Sequence, residues 1–222
     1  MMNIYIKVAI SFPKIIWFNF RYLPITQAIK LPVFLTYNTD VRISRGGLAL
    51  VNQVRPGMIR IGFHQVSSCN LNDETRLIVE RGGKMIFEGT AHLGNGTKLH
   101  VYRDSHLVLG DNFSVSASSV IKAYRGIKFG RDIQFSWHCL VMDSDTHHII
   151  DQNGKIMNED KPIVFGNKIW IGCGTTILKG TQIPSNCVIG ANSFVSGCNY
   201  EENSIIAGNP AKSIKPIGTW IL

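Results

Sequence analysis

Toward the C-terminal end of the chain, aliphatic or aromatic residues recur every six positions: Phe165, Ile171, Ile177, Ile183, Ile189 and Val195. Gly166, Gly172 and Gly190 directly follow the repeat position, and small side chains at Thr175, Thr181, Cys187 and Ser193 lie four residues behind it. An amphipathic helix repeats near 3.6 residues and a strand near 2, so neither alone explains a six. A strand of about four residues plus a two-residue corner does, because it returns an aliphatic side chain to the same inward site on each side of a coil. Upstream the period reappears in threes: Phe87, Leu93, Leu99; then Leu109, Val115, Ile121; then Phe129, Phe135, Val141. Three sides make a triangular coil, and the longer spacings of ten residues from Leu99 to Leu109 and eight from Ile121 to Phe129 mark small corner insertions.

From Val141 to Phe165 the gap is 24 residues, 18 beyond the six expected. A single turn does not need that length, and long loops on rigid scaffolds are where chemistry concentrates. This one carries Asp143, Asp145, His147, His148 and Asp151 within Met142–Asp151. The N-terminal 55 residues differ in texture: Pro13, Pro24 and Pro32 limit helices to short pieces, which would cap the open first coil. The pattern therefore divides the chain into a cap of short helices over 1–55, a β-coil over 56–207 with a loop at 142–162, and a tail over 208–222. Residues 56–86 read as less regular rungs, with Ile61-Gly62 and Leu77-Ile78-Val79 as sides.

Composition narrows the classes. A chain of 222 residues with 45% hydrophobic and 17% charged residues folds, since disorder needs the opposite balance. The 21 glycines have no period of three and punctuate turns. Five cysteines, Cys69, Cys139, Cys173, Cys187 and Cys198, form no CxxC pair, which points away from a disulfide framework or zinc knuckle and toward a reducing cytoplasm. Lys7, Lys14 and Arg21 interrupt the apolar N-terminus before it reaches the length of a membrane span, and the segment lacks a signal-peptide pattern. With Lys30, these cations make an interfacial helix at the inner membrane face the alternative to a plain cap. The net charge of +8 implies an anionic partner, but the basic residues form no nucleic-acid recognition pattern.

Pro162-Ile-Val-Phe-Gly-Asn-Lys-Ile-Trp-Ile-Gly-Cys-Gly174, Ile177-Leu-Lys-Gly180, Val188-Ile-Gly-Ala191 and Ala207-Gly-Asn-Pro-Ala-Lys212 resemble the hexapeptide-repeat acyltransferases. With the Asp-x-Asp-x-His segment they resemble the branch of sugar and polysaccharide O-acetyltransferases, over roughly residues 80 to 215. The resemblance implies an all-β left-handed parallel β-helix, a homotrimer, and acetyl-CoA sites between neighbouring subunits. It implies no metal.

By the same resemblance His147 matches the loop base that deprotonates the acceptor hydroxyl, a sugar-type acceptor being too weak a nucleophile unaided. Its second ring nitrogen needs an acceptor, and Asp145, Asp143 or a backbone carbonyl would serve; Asp145 is the carboxylate we assign to the site. His148 is out of register with the motif. Cys173, Ala191, Ser196 and Gly197 match positions lining the coenzyme groove, Trp170 an aromatic near the reaction centre, and Lys212 and Lys215 the basic positions that meet the nucleotide phosphates. The acceptor-binding Asn of galactoside and maltose enzymes is replaced by Ser116-Ala-Ser-Ser119, which leaves the acceptor open. Cys139 and Cys187 fall at the small inward position. Three alternatives accompany this reading: N-acetylation of a nucleotide-linked amino sugar, a β-helical zinc carbonic anhydrase drawing on His92, His100, His106, His138 and His147, and a non-catalytic β-helix.

Overall fold

Strands of three to six residues, with a few of two, alternate with tight corners, and from the fourth to the twentieth each hydrogen-bonds to the strand three places earlier. The computed structural model describes residues 4–70, 72–197 and 199–221, so Cys198 lies outside the described residues. The first face contains Val33–Leu35, Ile59–Ile61, Ala91–Leu93, Phe113–Ala117, Ile133–Trp137, Ile169–Ile171, Cys187–Ile189 and Ser204–Gly208, and is closed by the antiparallel strand Ala211–Pro216. Asp40–Ile43, Arg76–Val79, Lys98–Val101, Val120–Ala123, Leu140–Met142, Thr176–Leu178 and Phe194–Val195 form the second face. The third consists of Leu48–Leu50, Lys84–Phe87, His106–Leu109, Ile127–Lys128, Ile163–Phe165 and Gln182–Ile183. The result is a left-handed parallel β-helix.

Its core is the repeat itself. Leu93, Val115, Phe135, Ile171 and Ile189 align across the first face, and Leu99, Ile121, Val141, Ile177 and Val195 across the second. Every repeat position named from the sequence is at most 2% exposed. At about 1.5–3 kcal/mol for each buried aliphatic or aromatic side chain, this stack is the main stabilising term. Mid-coil, Phe129 stacks on Phe165 with centroids 4.5 Å apart and meets Phe135 edge-on. Thr175, Thr181, Cys187 and Ser193 are buried at the corners, the threonine and serine hydroxyls donating to corner carbonyls such as Gly172 O and Gly190 O. Cys139 is buried beside them, and desolvation pushes its thiol up to about 11, as suits a packing residue. His138 Nε2 lies 3.6 Å from the Cys69 sulfur.

The N-terminal region differs from the short-helix cap over 1–55. A 19-residue helix, Ile4–Tyr22, runs through Pro13 and is followed by the short helix Ile25–Ala28, and strands begin at Val33, so the first coil lies within the segment assigned to the cap. Tertiary hydrogen bonds compensate for what the proline removes. The inward stripe is partly polar: Lys7, Ser11, Ile15, Phe18 and Asn19 are all buried. Lys7 Nζ donates to Gly62 O at 2.8 Å, Lys14 Nζ to Tyr37 O at 2.9 Å, and the Tyr37 N–H donates to Ser11 Oγ. Asn19 stands in for a neighbouring strand, accepting from Val33 N–H and donating to Val33 O at 2.7 Å. Lys7 and Lys14 are therefore spent on the coil and do not face outward as interfacial cations; burial lowers both their pKa values. Tyr5, Ile6, Ile10, Phe12, Trp17 and Phe20 occupy the exposed side. No helix among the described residues is long and apolar enough to cross a membrane.

Replacing Asn19 with Ala orphans both Val33 peptide groups, each worth about 1–3 kcal/mol when buried without a partner. Chemical denaturation should show a loss of about 2–6 kcal/mol for the two groups together, with new proteolysis before Val33; an unchanged midpoint contradicts this role.

Candidate active site

The loop leaves the second face at Met142 and rejoins the third at Ile163, occupying the second corner of its rung. Its foot is fixed by Asp143, which is fully buried. The carboxylate accepts the backbone N–H groups of Tyr124 at 2.6 Å, Arg125 at 2.9 Å and Gly126 at 2.7 Å, on the rung below. Charge-assisted bonds of this kind are among the stronger ones available to a corner. Asp143 thus joins two rungs and does not face the histidine.

Asp145 makes no hydrogen bond to the imidazole among the described residues, whereas its expected role was to orient His147. Lys179 Nζ, one rung above, lies 2.5 Å from its Oδ2, and Asn158 Nδ2 donates to the same oxygen at 2.8 Å. Asn158 further donates to His147 O at 2.9 Å and accepts the Ile149 N–H, while Lys179 reaches Asn158 O. The Lys179 hydrogen bond holds the Asp145 carboxyl below the usual carboxylate range, with Asn158 contributing. Both bonds fall on Oδ2, and together they tie the loop to Asn158 and to the rung above.

His147 is exposed at the top of this braced loop. Nδ1 lies 3.1 Å from Thr146 Oγ1, and Thr146 adopts φ 63°. With the proton on Nδ1 directed at Thr146 Oγ1, Nε2 carries the lone pair and has no hydrogen-bond partner among the described residues.

The remaining candidates occupy other places. Trp170 projects from the first face, 45% exposed, with Trp220 at a centroid distance of 6.5 Å. The Trp220 indole donates to Lys168 O at 3.0 Å, bringing the end of the chain back onto this face. Together with Ser116, Gln134 and Ser136 the two rings line a groove of about 220 Å³. Cys173 and Ala191 stack at the first corner, joined through Asn192 N–H to Cys173 O. There the backbones are so close that a Cβ on Gly172 would meet Ala191 N at 2.5 Å. Lys212 pairs with Ala207 beside that column, Lys215 with Ile205, and both lysines are exposed. Ser196 and Gly197 lie two residues or fewer past Val195, at the second corner with His147. Within one chain the site residues therefore form two groups on different corners. His92, His100 and His106 point from the first, second and third faces respectively, and no group of three His, Cys, Asp or Glu gathers for a metal among the described residues.

No family model matches the sequence. A putative lipopolysaccharide biosynthesis O-acetyl transferase, WbbJ of Escherichia coli, is 28% identical over 147 residues, covering 62% of this chain and 74% of that protein. A putative acetyltransferase of Dictyostelium discoideum is 30% identical over 143 residues, covering 64% of this chain and 70% of its own length. The chain belongs to the hexapeptide-repeat acetyltransferases. Its fold is similar to that of the polySia specific acetyltransferase NeuO in a crystal structure, with TM-score 0.53 and 21% identity over 86% of this chain and 79% of that one.

Sequence reasoning about this acetyltransferase missed Lys179, Asn158 and Thr146. The register contained a signal for Lys179: Val141 pairs with Ile177, so residue 179 stands directly above residue 143. Asn158 lies outside the repeat, and nothing in the period points to it.

Replacing Lys179 with Ala removes the brace on Asp145 and Asn158, and kcat should fall roughly tenfold or more as the loop carrying His147 loses its position. Acetyl-CoA affinity should be nearly unchanged, and a wild-type kcat contradicts the brace. Because folding depresses the Asp145 pKa, the brace is intact above the carboxyl's unfolded value and is released as pH falls through its folded value.

Proposed function

We propose that this acetyltransferase moves an acetyl group from acetyl-CoA to a hydroxyl of a sugar or polysaccharide precursor, with His147 as general base. The observation that carries the reading is an exposed imidazole on a loop fixed at its foot by Asp143 and braced by Asp145, Asn158 and Lys179. A general base has to be immobile relative to the scaffold yet open on its reacting side, and His147 meets both conditions. The names of WbbJ and NeuO, tied to lipopolysaccharide biosynthesis and polySia, support a glycan acceptor.

In the proposed reaction His147 Nε2 takes the hydroxyl proton as the acceptor oxygen attacks the acetyl carbonyl. The C–O bond forms, the tetrahedral intermediate collapses with cleavage of the C–S bond, and the thiolate of the coenzyme receives the proton from the imidazolium. No enzyme nucleophile is needed. The column of small residues at Cys173 and Ala191 suits an extended pantetheine arm close to the backbone. Lys212 and Lys215, which make no ion pair among the described residues, suit its phosphates as point charges.

The two groups of site residues lie on different corners of one triangular cross-section. A complete site requires the His147 corner of one copy to face the Cys173 corner of another, which is the reason we favour a homotrimer.

His147→Ala should lower kcat by roughly a hundred- to ten-thousand-fold while leaving acetyl-CoA binding intact. Unchanged turnover, measured as thiol release with a panel of sugar acceptors, would rule out the assignment. The double variant Lys212→Glu/Lys215→Glu should raise the acetyl-CoA KM roughly tenfold or more with little change in kcat; an unaltered KM would remove both lysines from the donor site.

A further inference from the structure

The second corner carries an arginine at the same place on four successive rungs. Ile43, Val79, Val101 and Ala123 are aligned across the second face, and each is the last residue of its strand. Two residues after each comes Arg45, Arg81, Arg103 and Arg125. The intervening residue keeps register too: Ser44 N–H donates to Val79 O, Glu80 N–H to Val101 O and Tyr102 N–H to Ala123 O. All four arginines are exposed, and none of their guanidinium groups makes a hydrogen bond or ion pair among the described residues.

Adjacent strands lie about 4.8 Å apart, so the column spans about 14 Å. Like charges stacked directly across strands repel and cost stability, and nothing in the fold requires arginine at an exposed corner. Glu80, bonded to His100 Nε2 at 3.0 Å, and Asp104, beside Gly82, lie near the column, and neither pairs with one of the four guanidinium groups. Beside the arginines runs a stiff wall of rings. His100 stacks on Tyr102 at 3.8 Å, and Tyr102 on Tyr124 at 3.5 Å.

The column ends at the candidate base. Arg125 N–H is one of the three donors held by Asp143, and the His147 loop rises from that residue on the next rung of the same corner.

We propose that Arg45, Arg81, Arg103 and Arg125 form a track for an acidic glycan, whose carboxylates or phosphates meet the guanidinium groups while its chain runs along the corner toward His147. This specifies the acceptor class and rests on the proposed sugar acetyl transfer. Forked guanidinium donors suit carboxylate and phosphate. The ring wall adds polar edges for sugar hydroxyls. Tyr102 has both faces covered by its neighbours, which disfavours base stacking, and no large exposed apolar side chain lies at these four corners to enter a bilayer.

The test is isothermal titration of a short oligogalacturonate, and of its carboxyl-reduced neutral counterpart, into the full-length protein. The wild type should bind the acidic oligomer roughly tenfold or more tightly than the neutral one, and added salt should weaken binding. Arg81→Gln/Arg103→Gln should lose roughly tenfold in affinity for the acidic oligomer, and Arg81→Lys/Arg103→Lys should recover most of it. Equal binding of the two oligomers, or an unchanged affinity in the Gln variant, overturns the track. Arginine-dependent binding to anionic vesicles or RNA with none to the oligouronate overturns the glycan assignment. His147→Ala should bind the oligomer like wild type. If that variant also kept full turnover, the catalytic reading would fail while the track stood.

Discussion

The constraint on which the structure depends is the in-register hydrogen-bond ladder between every third strand. A parallel ladder leaves little freedom once its first rungs are set: each new strand must present its peptide groups at the height and phase of the one below. Position in the repeat therefore fixes both depth and corner. Ile171, Ile177 and Ile183 are consecutive repeat positions in sequence, yet they point inward from three different faces. A residue two places past the end of a strand always arrives at a corner. Core packing, loop placement and the two groups of candidate site residues all follow from this one periodicity.

Such a ladder creates two open edges, and unpaired strand edges invite pairing with other chains. The chain closes them differently. At the start, Asn19 supplies the donor and acceptor that a preceding strand would have offered to Val33, while Lys7 and Lys14 reach the carbonyls of Gly62 and Tyr37. Polar residues on the buried stripe of the helix are consequently an edge-sealing device beside the apolar Ile15 and Phe18, while Ile6, Ile10, Trp17 and Phe20 remain outward. At the end, the strand Ser204–Gly208 turns back as an antiparallel hairpin with Ala211–Pro216, which stops the coil from propagating.

These differences explain what could be read from the sequence. The core was legible residue by residue, because a six-residue period has few other structural meanings and every rung repeats the same environment. Helix Ile4–Tyr22 was not, because Pro13 argues locally for a break and the bonds that outweigh it come from residues 33–62. The loop was legible as an excess of 18 residues, and its brace was not. Asp145 precedes His147 by two positions, and that adjacency suggests a partnership; the backbone instead aims the carboxylate at Lys179, 34 residues away in sequence and one rung above. Within the loop, adjacency in sequence found the threonine beside the imidazole no better than it found the partner of the carboxylate, because both depend on how the backbone turns.

The use of both loop carboxylates for structure bears on the proposed chemistry. In a triad, a buried aspartate stabilises the imidazolium that forms when the base takes its proton. Here Asp143 is committed to three backbone amides and Asp145 to Lys179 and Asn158, and His147 has only the Thr146 hydroxyl at its second nitrogen. Among the described residues, an imidazolium so placed has no hydrogen bond or ion pair to a carboxylate of its own loop. For an enzyme that accumulates a charged intermediate this would be a defect. In direct transfer the cation is transient: it forms beside a developing oxyanion and returns its proton to a thiolate within the same encounter. A neutral orienting partner then favours release of the proton, and the acidic side chains are free to give the loop a rigidity that an excursion of its length would otherwise lack.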